Sequence, residues 1–137
     1  MRRTTTITLH WLSLLLLVLL VAGGPLPALA WAFGLVGLAL CATALFCGLM
    51  KGPGPKLDGA LRMAHPWLSR VMYAALAAIA AATLWHVALG PVAGITQWHF
   101  YLLSASSLHA IFHLWRHTAL GDGALRRITP PALHGML

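Results

Sequence analysis

Two stretches of this chain, Thr4–Met50 and Val71–Trp115, contain no Asp, Glu, Lys or Arg. A helix that crosses a bilayer needs about 20 predominantly apolar residues, so each stretch has room for two. Each is also cut near its middle by turn formers: Gly23-Gly24-Pro25-Leu26-Pro27 in the first, Gly90-Pro91 and Gly94 in the second. The pattern predicts an all-α chain of four spans, at residues 6–23, 27–50, 67–89 and 96–119. Pro27 and Pro66 stand where a helix can begin, since the first turn asks no N–H of them. Gly121 and Gly123 stand where the last helix should end. The segment 51–65 reads as a polar, glycine-rich loop and 121–137 as a loose or surface-lying tail. With no internal repeat, residues 1–137 form a single domain.

Composition turns four apolar helices into a membrane protein. The chain is 60% hydrophobic and 8% charged, with a mean hydropathy of +0.83, where soluble domains carry about 25% charged residues. A fold of 137 residues has too much surface for its volume to bury that much apolar side chain in water. The nine basic residues then give orientation. Arg2 and Arg3 precede span one, Lys51, Lys56, Arg62 and Arg70 lie around the connection between spans two and three, and Arg116, Arg126 and Arg127 close span four. The other two connections carry none, so the positive-inside rule places both termini in the cytoplasm. The formal net charge of +7 needs no nucleic acid, because a basic rim beside anionic headgroups accounts for it. Residues 1–30 also fit a secretory signal, with Ala28-Leu29-Ala30 as a cleavage site; the hydrophobic span that follows directly argues against it. Cys41 and Cys47 point about 120° apart on one helix and read as small packing residues.

Eight histidines change the picture again. An ionisable side chain inside a membrane is costly and faces the bundle interior with a partner, and His10, His86, His99, His109, His113 and His117 all fall within spans. His109, His113 and His117 recur every fourth residue and share one face of span four. Neutral imidazole is the commonest metal ligand, and haem iron accepts two, one from each of two facing helices. His10 lies seven residues inward from Arg3, and His109 seven inward from Arg116. At 1.5 Å per residue both sit about 10 Å below the basic rim. Spans one and four are antiparallel, so these two imidazoles can meet on one iron, with Arg3, Arg70, Arg116 and Arg127 near enough to pair with haem propionates. His86 and His99, near the opposite rim beside Trp85 and Trp98, are candidates for a second haem or for interfacial residues.

Thr8-Leu9-His10-Trp11-Leu12 opens span one. His109-Ala110, His117 and then Gly121-Asp122-Gly123-Ala124-Leu125-Arg126-Arg127-Ile128-Thr129-Pro130 close span four. In these segments the chain resembles the bacterial cytochrome b561 family, related to the cytochrome b subunits of nickel-iron hydrogenases. The resemblance covers all four spans in layout and is specific in motif only at the two ends. It implies a four-helix bundle in the bacterial inner membrane that carries haem b, usually two, and moves electrons between quinone and an external partner or redox enzyme. Some members oxidise superoxide and pass its electron to quinone. His10 and His109 match the pair for the cytoplasmic-side haem. Two departures stand out: the start of span two, Ala28–Gly34, carries no histidine for an outer haem, and the family's span-four spacing of about fourteen residues fits His99–His113 rather than His99–His109. His113 is therefore the alternative inner ligand.

Two other readings compete with a cytochrome. The histidine ladder of span four suits a proton or transition-metal transporter, and a haem-free membrane anchor would need no site at all. Asp58 and Asp122 are the only acids, and both fall in connections, which argues against carboxylate acid–base catalysis. Asp122 reads as a turn stabiliser. Ser104, Ser106 and Ser107 have no acid near enough for a triad. No phosphate loop or cysteine-based zinc pattern is present.

Overall fold

In a computed structural model that describes residues 2–24, 26–49 and 56–136, the chain forms four long helices: α1 (Arg2–Gly23), α2 (Pro27–Cys47), α3 (Gly59–Ala88) and α4 (Ile95–Thr118). Two short 3₁₀ turns, Leu125–Arg127 and Pro131–Met136, follow. The helices run up and down in the cyclic order α1, α2, α3, α4, with α4 closing back on α1. α2 packs intimately on α1 and α3, whereas α4 is held more sparsely between α1 and α3. Met50, Lys51 and the rest of 50–55 lie outside the described residues.

By length and composition α1, α2 and α3 are apolar enough to cross a membrane; α4 is not among them. Its chemistry dilutes its hydropathy: Gln97, four histidines and three serines lie along its 24 residues. The helix expected to bear the site is thus the least lipid-like of the four.

Helix ends follow the turn residues with one correction. Pro27 opens α2 and Gly94, at φ +70°, precedes α4. Pro66 does not open α3; it sits inside it, and the helix begins at Gly59 after Asp58 at the N-cap position. The preceding Leu57 is 1% exposed and anchors the entry, so α3 starts eight residues before the residue expected to open its span. As the eighth residue of α3, Pro66 lies past the first turn and takes one bond out of the helix ladder. The loop expected over 51–65 is correspondingly shorter.

The apolar core occupies one half of the bundle. Leu16, Leu17 and Leu20 from the end of α1, Ala30 and Phe33 from the start of α2, Ala80 from late α3 and Leu102 from early α4 form one buried cluster. Helices α2 and α3 approach closely there. A Cβ on Gly37 would lie 3.1 Å from that of Ala80, and one on Gly34 would overlap the branch of Leu84. The alanine-rich face of α3 therefore serves helix contact, as small residues do where backbones approach.

The opposite end is basic and tied by polar contacts. Arg2 Nη2 donates to the Gly48 carbonyl at 2.7 Å, and Arg3 Nη2 to that of Arg126 at 2.6 Å. Trp11 Nε1 donates to the Ile128 carbonyl at 2.9 Å. Ala124 and Thr129 are buried. Of the two expectations for the tail, loose or surface-lying, the structure has the second: it folds back along the first turns of α1.

Candidate functional site

The histidines of α1, α3 and α4 gather in the half of the bundle that lacks the apolar core. On α4, His109 and His113 stand one turn apart with ring centroids 4.5 Å from each other. His65 of α3 meets His113 edge-on at 6.0 Å. His10 of α1 lies close enough to His109 for charge on either ring to act on the other. None of His10, His109 and His113 hydrogen-bonds to a described residue, although each is partly buried. All three keep part of their surface exposed, and with no described partner their ring nitrogens remain available to a ligand.

Next to them lies a buried chain of polar groups. Arg116 is 1% exposed. Its Nε donates to Asp122 Oδ2 at 2.7 Å, and its Nη2 stands 2.6 Å from the same oxygen. Its Nη1 donates to His65 Nε2 at 2.7 Å. Because arginine can only donate, His65 Nε2 must carry the lone pair and Nδ1 the proton. That Nδ1 is buried without a partner among the described residues. Asp122 is held for this by its own turn: Oδ1 accepts from the Ala124 amide at 2.9 Å, and Gly121 takes φ +57°. The acid read as a turn stabiliser is one, and it also neutralises a buried cation.

The expected arginines therefore have other surroundings. Arg116 is engaged by Asp122 and His65 rather than free for an acidic ligand group. Arg70 is five residues from His65 on α3, about 140° around the helix. It lines a groove between α2 and α3, away from the histidine cluster, and stacks on Trp67 at 5.0 Å. His65, which the expected loop 51–65 left outside the spans, belongs to the cluster.

Two further histidines have structural partners. Thr83 Oγ1 donates to the Ile79 carbonyl at 2.6 Å, so at its 2.8 Å contact with His99 the His99 Nε2–H is the donor. His99 is fully buried, edge-on to Phe33 at 5.6 Å, and its Nδ1 has no described partner. His86 Nδ1 accepts the Val92 amide at 2.9 Å and shapes the turn into α4. Each imidazole thus carries its proton on Nε2. His117, the third rung of the ladder, has a buried Nδ1 without a described partner.

Among the described residues no three His, Cys, Asp or Glu side chains converge as a site for a metal ion alone. Cys41 and Cys47 are free thiols. A scan against family models, a search of curated proteins and a search of solved structures each return no match.

Proposed function

We propose that this protein is a membrane b-type cytochrome, holding haem b between His10 of α1 and His109 of α4. All four helices cross the bacterial inner membrane, and both termini lie with the basic rim on the cytoplasmic side. The observation that carries the reading is the set of unpartnered imidazoles on α1 and α4, within electrostatic range of one another at the end of the bundle opposite the main apolar cluster. Neutral imidazoles presented from two facing helices are the donor set that haem iron takes. The sparser packing of α4 on α1 suits a ligand set between those helices.

Bound haem would supply a reversible one-electron couple; the chain's own part is to hold and shield it. His10 and His109 would ligate through ring nitrogens that no described residue occupies. Helices α1–α3 surround the site with apolar side chains, and the tail 124–129 covers its basic end. Arg116 contributes indirectly, by fixing the ring of His65 beside His113. His86 and His99, each with its own structural partner, are not assigned a second haem in this reading. The electrons are exchanged with quinone or with a redox enzyme for which this is the haem subunit. Superoxide is the electron donor that the family resemblance adds.

The test is a visible spectrum of the purified protein with haem counted per polypeptide. Sharp α and Soret bands on reduction, at one haem per chain, are expected, and His10→Ala and His109→Ala should each abolish them. A colourless protein that binds zinc or copper would favour the transporter instead. A colourless, metal-free protein would leave only an anchor.

A further inference from the structure

We propose a binding site for an anionic phospholipid in the groove between α2 and α3, on a different face of the bundle from the histidines and independent of any haem. The groove encloses about 590 Å³, within the roughly 300–1,000 Å³ usual for small-molecule sites. Ala44, Leu45 and Ala74 form apolar walls, and Arg70, the Tyr73 ring and Cys41 supply the polar part. Leu45 is 79% exposed, so the groove opens sideways, toward the acyl chains in a membrane-inserted bundle.

Charge selects the occupant. Arg70 has no hydrogen bond or ion pair with any described residue. Its stack on Trp67 holds the guanidinium plane and leaves its N–H edges free. A second cation stands at the rim, where Arg2 donates to Gly48, itself a lining residue. The one buried acid at this end, Asp122, is taken by Arg116. Arginine matches phosphate through a two-pronged donor fork, and the Tyr73 hydroxyl, with no described partner, can serve a glycerol or ester oxygen. A neutral amphiphile would leave the Arg70 fork uncompensated, and a soluble anion would gain nothing from the apolar walls. The cytoplasmic leaflet is the anionic one, and Trp67 is the kind of aromatic that sits at headgroup level.

Cys41 reports on occupancy. Its thiol faces the groove and donates to the Tyr73 carbonyl at 3.4 Å. The protein is prepared with Cys47→Ser, so that Cys41 is the single thiol, and reconstituted in nanodiscs of phosphatidylcholine with or without phosphatidylglycerol. Alkylation of Cys41 by N-ethylmaleimide should slow about fivefold with phosphatidylglycerol, the effect of roughly one arginine–headgroup interaction. Arg70→Gln should remove the difference. Equal rates in both membranes would overturn the proposal, as would protection that persists in Arg70→Gln, which would be a property of the membrane rather than of the site. Equal protection by a neutral quinone would overturn it in favour of an uncharged amphiphile. If Arg70→Gln fails to fold, native mass spectrometry of the unsubstituted protein decides: preferential retention of phosphatidylglycerol over phosphatidylcholine supports the site, and no preference overturns it.

Discussion

The two halves of this bundle place histidine in opposite circumstances. In one, His99 is fully buried edge-on to Phe33 of the apolar core, and its Nε2 is spent on Thr83. In the other, His109 and His113 stand one turn apart on α4 and His10 lies on α1 within electrostatic range of His109, with no described hydrogen-bond partner for any of the three. Beside His113 stand His65, which accepts a hydrogen bond from buried Arg116, and His109. The same residue type thus serves as a packing element where the core is apolar and remains chemically available where it is not. A histidine inside a hydrophobic chain is read correctly only once its surroundings are known.

The largest test of that contrast is spectroscopic. His109→Ala should lose all haem absorbance while keeping its helical circular dichroism, and His99→Leu should keep both the absorbance and the one-haem stoichiometry. Retention of haem in His109→Ala with loss in His113→Ala would move the ligand one turn along α4. The next effect is on stability. Phe33→Ala empties a fully buried position and should cost about 4 kcal/mol, read by unfolding in detergent, without shifting the reduced α band.

At the basic end Asp122→Ala leaves Arg116 buried and uncompensated, and should cost about 3 kcal/mol. Asp58→Ala, with no described salt bridge, should be close to neutral. Smaller still, Gly34→Ala must displace Leu84 and should cost about 2 kcal/mol in the apolar half alone. Trp11→Phe removes the bond to Ile128 and should cost about 1 kcal/mol; faster proteolysis of the tail with an intact helical core is the readout.

The sequence made part of this contrast visible. Uncharged runs broken by Gly and Pro located four helices because membrane spans and turn chemistry are local properties. Pro66 misled because a proline can stand inside a helix, at the loss of one ladder bond, as well as at a helix start. The pairing of Arg116 with Asp122 was within reach: one of two acids in the chain lies six residues from an arginine at a helix end. The involvement of His65 was not, since its contact with Arg116 spans 51 residues and arises only when α3 packs on α4. The separation of Arg70 from the histidines could have been read from their angular offset on α3, had that helix been started at Gly59.

The tail that Arg3 and Trp11 hold has a consequence for biogenesis. Those side chains wait for carbonyl groups 123 and 117 residues further along the chain. The first helix is therefore made long before the segment that secures it is translated, and the basic end closes last. Any cofactor entering from that side would find the door open throughout synthesis and shut soon after the final helix is released.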